Sequence, residues 1–281
     1  MAYSNFIPTV WAAAIQRELE RATVFAEDCN RQYEGDVKEQ GDSVRILGVG
    51  SPTIRTLARS AASGDIVGPE ELEDQSITMQ INQIRYFNYQ IGDIDKAQAK
   101  NGLMEAFAKE TSEKLANEVD KYIAGFAADE NIKSLNNSAA KVTKSTVLEA
   151  IDDAVQKLRE NDVSASTQLV LTAPPRFTKL VKQALISLDT DNSQRIENGK
   201  IGRYGNIIIK ESNNVYTTNS GAVDNIMIRT RRAIAFVQPM THTEAYRPDL
   251  RFADAVKGFI LFDGKVVRPK EVININVKYT D

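Results

Sequence analysis

A chain of 281 residues with 42% apolar side chains has material for one large or two modest domains and a proper core. A formal net charge of -3 and a pI near 5.5 argue against a surface built to neutralise phosphates, leaving only a local basic patch at Arg229, Arg231 and Arg232. The single cysteine, Cys29, excludes an internal disulfide and a cysteine-cluster metal site, and no stretch approaches the roughly 20 apolar residues of a membrane span. The opening Met1-Ala-Tyr-Ser-Asn-Phe6 lacks the basic start and apolar core of a signal peptide, so the cytoplasm is the expected location.

Val10, Trp11, Ile15, Leu19, Ala22 and Phe25 recur mostly three or four apart, which predicts a helix between Phe6 and Tyr33 with one apolar face. That face needs another part of the fold, or a neighbouring subunit, to cover it. From Ser43 to Ile94 the pattern turns to strands, with Val44 and Ile46 on one limb and Ile77, Met79 and Ile81 on the other. The small, acidic stretch Ser60 to Asp74 suits the tip of a long hairpin. The returning limb changes phase between Ile81 and Ile84, and again between Tyr86 and Phe87, which predicts bulges or strong twist.

Asp95 followed by Gln98 can cap a helix that runs through Leu103, Phe107, Leu115, Val119, Tyr122, Ile123 and Phe126, with Gly102 and Gly125 as weak points or ends. At about 1.5 Å per residue this is a rod of roughly 45 Å, a scaffold element. After a linker from Asn131 to Thr143, a helix from Ser145 to Glu160 precedes a strand at Gln168 to Thr172. Pro174-Pro175 opens a further helix through Leu180, Val181, Ala184 and Leu188. Strands follow at Ile207, at Ile226 and from Ala233 to Val237, so the region is α+β or α/β. In the last forty residues Asp263-Gly264 reads as a two-residue turn between Phe259-Ile-Leu-Phe262 and a strand-like run that Pro269 interrupts. Such a proline belongs to an edge strand or a bulge.

Little of this looks catalytic. His242 is the only histidine, and Thr241, Thr243 and Glu244 beside it give no metal-ligand spacing. Cys29 has only Arg31 nearby to lower its pKa and reads as a packed thiol. Asp189-Thr-Asp-Asn-Ser193 opens like a calcium loop, but Gln194 replaces the turn glycine and Lys200 the bidentate glutamate. Gly199, Gly202 and Gly205 follow a polar loop and precede a strand, the wrong order for a phosphate cradle. Asp93 and Asp95 are better explained by helix capping than as an acid and base pair. No catalytic, cofactor-binding or metal-ligating residue is therefore nominated, and no cofactor is expected.

The order of elements nevertheless carries a resemblance. Arg31-Gln-Tyr-Glu-Gly35 with Gly41-Asp-Ser-Val44, Val119-Asp-Lys-Tyr-Ile123, Leu169-Val-Leu-Thr-Ala-Pro174, Gly202-Arg-Tyr-Gly205, Tyr246-Arg-Pro248 and Phe252-Ala-Asp-Ala-Val-Lys-Gly258 together resemble the major capsid proteins of tailed bacteriophages. The fold implied is the HK97-like α+β fold, and the branch is that of the short-tailed phage coat proteins. The resemblance implies an N-terminal arm over 1–42, an extended β-hairpin loop over 43–92, a peripheral domain with a long spine helix over 93–142, an axial domain over 143–231 and the peripheral domain's C-terminal strands over 232–281. It implies a non-enzymatic structural protein that self-assembles as hexamers and pentamers of an icosahedral shell. The shell encloses double-stranded DNA without sequence-specific binding and expands from procapsid to capsid. It further implies a separate scaffolding protein and a portal protein, room for decoration proteins as further contacts, and location in the virion, with the host cytoplasm as the place of assembly. Neighbour contacts are expected at Arg55, Arg59, Glu70, Glu71 and Asp74, where opposite charges of the hairpin can pair between chains. An encapsulin-like compartment around a cargo enzyme shares this fold and is the alternative; a hydrolase using Asp93, Asp95 or His242 is a distant third.

Overall fold

A computed structural model of the chain describes residues 23–33, 43–49, 74–92, 103–136, 138–187, 196–197, 200–201, 203–249 and 252–279. In chain order the strands and helices are β1 (Ser43–Val49), β2 (Asp74–Gln80), β3 (Gln83–Gly92), α1 (Leu103–Ala124), β4 (Lys133–Ser134), β5 (Ala140–Val142), α2 (Val147–Glu160), β6 (Leu169–Ala173) and α3 (Pro175–Ser187). They continue with β7 (Ile196–Glu197), β8 (Lys200–Ile201), β9 (Arg203–Tyr204), β10 (Ile207–Glu211), β11 (Tyr216–Thr218), β12 (Val223–Thr230), β13 (Ile234–Tyr246), β14 (Ala253–Val266) and β15 (Val272–Tyr279).

β1 and β2 pair antiparallel with Val44 opposite Met79 and Ile46 opposite Ile77, as their alternation predicts. Ile81 and Asn82 then leave the ladder, and β3 pairs with β14 instead of β1. The phase change at 81–84 is thus a switch between sheets. The second expected irregularity is absent, because β3 keeps one register from Gln83 opposite Phe262 to Gly92 opposite Ala253. Tyr86 breaks the apolar pattern simply by facing solvent, 80% exposed.

The three-stranded sheet β13-β14-β3 is covered on both faces near its base. Ile234, Phe236, Ile260 and Phe262 point into the main core, which includes Leu115, Val119 and Ile123 of α1. Their neighbours Ala235, Val237 and Leu261 point the other way, onto Val44, Ile46, Met79 and Ile81 of the hairpin base. Period-two alternation therefore pins the hairpin to the back of the sheet that α1 covers in front. Each large apolar side chain buried there contributes about 1.5–3 kcal/mol. The expected helix start at Asp95 lies outside the described residues; the helix ends at Ala124, where Gly125–Ala128 form a 3-10 turn.

The second sheet runs β4-β15-β12-β6-β10-β9, with β5 on β15 and β11 on β12. β6 and β10 are parallel, and α3 makes the crossover between them. β6 is buried along its whole length, in keeping with its unbroken apolar run. Ile151, Ala154 and Leu158 of α2 and Phe177 and Val181 of α3 recur at helical spacing and join this core.

Three expectations are corrected. Residues 23–33 are not the end of an α-helix: they form a 3-10 turn at Ala26–Asp28, and Asn30 bridges to Ala235 beside β13. Nor is Asp263-Gly264 a turn, because β14 runs straight through with Asp263 opposite Val237 and Gly264 opposite Phe236. The Asp263 carboxylate is occupied in tertiary bonds, accepting from the Tyr122 hydroxyl at 2.6 Å and from the Asn82 amide at 3.1 Å. The chain reverses instead at Pro269–Glu271, a 3-10 turn that proline opens without losing a ladder bond. β15 then enters the other sheet, with β12 on one side and β4 and β5 on the other, so it is an interior strand and not an edge.

Candidate functional site: a buried charged junction and the surfaces around it

The densest polar cluster among the described residues ties Thr23 to Tyr33 into the fold. Asp120, on the buried side of α1, accepts from the backbone amides of Val24 at 2.8 Å, Phe25 at 2.9 Å and Ala26 at 3.3 Å. Its carboxylate thereby takes the place of a cap for the turn that follows. Arg229, near the end of strand β12, has no exposed surface. Its guanidinium donates to the carbonyls of Asp28 at 2.6 Å and Phe25 at 3.0 Å, the latter also accepting from the Asp28 amide within the turn. The Asp28 carboxylate, also fully buried, lies 2.6 Å from Lys210 Nζ and 3.0 Å from Arg231, while Glu27 lies 2.7 Å from Lys210. Glu27, Asp28 and Asp120 thus face Lys210, Arg229 and Arg231, so the junction is internally neutral.

Burial dominates the electrostatics. It pushes the Asp120 carboxyl above its ordinary pKa, against the three amide bonds and Arg229. It also pushes the Cys29 thiol up, against Arg229, whose guanidinium stands 3.8 Å from the sulfur. A buried thiol pushed up in this way is a poor nucleophile. For Lys210 burial works downward, but the ion pairs with Asp28 and Glu27 outweigh it and hold the ammonium above its ordinary value. A second cluster closes the base of β15. Burial acts to raise Glu271, yet bonds from Arg232, Thr230 and Arg268 hold it below the usual carboxylate value. Both clusters bind chain segments together.

Of the basic run, Arg229 is buried, while Arg231 and Arg232 stay about half exposed and are paired with Asp28 and Glu271. Sequence reasoning missed Arg229 because its partners stand about 200 residues earlier in the chain, as the separations of 201 and 204 record. His242 is exposed on β13, opposite Phe259, with ring centroids 5.6 Å apart. Among the described residues no group of three His, Cys, Asp or Glu side chains can hold a metal ion. Asp93, Asp95 and Asp189 to Ser193 lie outside the described residues, as do Arg55, Arg59, Glu70 and Glu71. Asp74 opens β2 opposite Val49. Gly205 sits at φ +56 in the tight turn between β9 and β10, which accounts for its glycine without any ligand.

No protein-family model and no curated protein matches this sequence. Solved structures do. One from Mycobacterium phage Che8 is 28% identical, with a TM-score of 0.72 over 90% of this chain and 90% of that one. The capsid structure of cyanophage P-SCSP1u is 16% identical, with a TM-score of 0.69 over 92% of this chain and 88% of that one. The mature capsid of bacteriophage PhiM1 is 15% identical, with a TM-score of 0.65 over 92% of this chain and 87% of that one. With its helix-backed three-stranded sheet, hairpin base and separate mixed sheet, the chain has the HK97-like α+β fold of the tailed-phage major capsid proteins.

Proposed function

We propose that this chain is a major capsid protein, a structural subunit whose copies close an icosahedral shell around a phage genome. The observation that carries the reading is the match of nearly the whole chain, 90% of it at 28% identity, to a phage structure within a set of capsid folds. The internal chemistry agrees with it: the buried charges hold segments together, and the apolar surface that β1 and β2 carry is spent on anchoring a projecting hairpin.

In this reading 1–42 is the arm, 43–92 the extended loop, 93–142 and 232–281 the peripheral domain, and 143–231 the axial domain. The hairpin's charges at Arg55, Arg59, Glu70, Glu71 and Asp74 pair with neighbouring copies. Hexamers and pentamers form first as a procapsid in the host cytoplasm, with a separate scaffolding protein and a portal protein, and expand as double-stranded DNA enters. Repetition over the shell adds avidity to individually weak contacts. Decoration proteins then have an outer face to bind, and the motif match favours the short-tailed branch. Electron microscopy of the protein co-expressed with a scaffolding partner tests this: closed shells support it. An encapsulin-like compartment is distinguished by a cargo enzyme inside the particle in place of DNA.

A further inference from the structure

α2 and α3 pack side by side on one face of the mixed sheet, yet their charges are segregated. α2 carries Glu149, Asp152, Asp153 and Glu160; α3 carries Arg176, Lys179 and Lys182 and no acid. Most of the other charges on α2 are occupied within the chain. Glu160 pairs with Lys157 at 2.8 Å, Arg159 donates to loop carbonyls including that of Val163, and Asp152 accepts from the Tyr204 hydroxyl at 3.1 Å. Glu149 and Asp153 remain exposed, without an ion pair among the described residues, and so does Lys179; Lys182 has Glu211 at 4.0 Å.

Opposite charges on touching helices that make no pair with each other face apart. The helical wheel agrees. Leu148 and Val155 of α2 and Leu180 of α3 are half-buried against the core and mark one flank of each helix. At about 100° per residue, Asp153 lies roughly 140–160° around from Leu148 and Val155, and Lys182 roughly 160° from Leu180. The two-helix layer therefore presents an acidic outer flank and a basic one.

We propose that the acidic flank of α2 on one copy meets the basic flank of α3 on the next copy, with Glu149 and Asp153 pairing with Lys179 and Lys182. Two different patches of one chain in contact make a head-to-tail interface, which closes into a ring when the rotation permits. The partner, a second copy, rests on the capsid reading; the pairing rests on the charge segregation. Charge complementarity of this kind sets register and suppresses wrong partners more than it adds raw affinity.

The test is a charge swap in the full chain, read by particle yield on electron microscopy and sedimentation. Glu149→Lys with Asp153→Lys, and separately Lys179→Glu with Lys182→Glu, abolish shells; the first pair leaves the urea midpoint unchanged, the second lowers it slightly because Lys182→Glu faces Glu211, and the fourfold swap restores shells. Should a double variant fail to fold, the single pair Glu149→Lys and Lys179→Glu, both at exposed positions, carries the same logic. Wild-type shells with indifferent variants, or a fourfold swap that restores nothing, overturn the contact alone. A wild-type chain that forms no particles overturns the capsid reading and the contact with it.

Discussion

Replacing Arg229 with methionine removes the one cation that is wholly inside the junction while keeping a side chain of similar length. Two carbonyls, of Asp28 and Phe25, lose donors at 2.6 and 3.0 Å, and the buried Asp120 carboxylate loses its nearest compensating charge. Lys210 and Arg231 still face Asp28, so the loss is not of the whole cluster. Losing a hydrogen bond from a charged donor to a buried acceptor costs about 1.5–3 kcal/mol, so the two bonds together are a large share of the roughly 5–15 kcal/mol that stabilises a domain. The effect is local first, because the segment at 23–33 is held chiefly by these bonds and by Phe25, Ala26 and Cys29. Hydrogen exchange reads it directly at the three amides bound to Asp120. A loss of about 3 kcal/mol corresponds to about a hundredfold loss of protection at Val24, Phe25 and Ala26, since 1.4 kcal/mol is a factor of ten. Asp120→Asn lowers protection at the same amides, and the double variant falls short of the sum because the two groups share one network. Unchanged exchange at these amides in Arg229→Met would refute the assignment of the junction as the anchor of this segment.

Further predictions follow from single contacts. Gly258→Ala places a methyl group 2.5 Å from Phe87 Cζ and 2.7 Å from the His242 carbonyl, so the urea midpoint falls by the equivalent of about 1–3 kcal/mol, and Phe87→Ala does not rescue the backbone clash. Tyr122→Phe removes the 2.6 Å bond to Asp263 and costs about 1–3 kcal/mol in the same assay, because the carboxylate keeps only its amide donors. Met79→Ala opens the hairpin base and destabilises it by about 2–5 kcal/mol, seen as faster proteolysis of the hairpin. Glu271, held below its ordinary pKa, stabilises the fold fully above the unfolded value of about 4.3 and loses that contribution as pH falls through the folded value. Glu271→Gln therefore flattens the acid limb of a plot of midpoint against pH; an unaltered limb would show that this carboxylate does not carry it.

What the chain discloses by itself is its local pattern. Val44 with Ile46, the run at Leu169–Ala173 and the helix opened by Pro175 all read correctly, because burial there follows simple periods. The phase change at Ile81 was legible as an irregularity, but its meaning depended on β14, whose pairing residue Phe262 lies far along the chain. Asp263-Gly264 misled because turn chemistry is a local signal, while the bonds that keep Asp263 in a strand come from Tyr122 and Asn82, at separations of 141 and 181 residues. Arg229 misled for a related reason: charge reads as surface unless its buried partners are known, and Asp28 is 201 residues away from Arg229. The capsid fold was recognisable from the order of elements, whereas the junction that anchors residues 23–33 needed coordinates.

The central claim, that copies of this chain build a closed shell, is tested most directly by the mass of the particle formed when the protein is purified after co-expression with a scaffolding partner. Light scattering is predicted to return one narrow species of roughly a few hundred times the 31.2 kDa subunit mass, resolving into pentamers and hexamers under dissociating conditions. A protein that remains at the subunit mass under all these conditions contradicts the account.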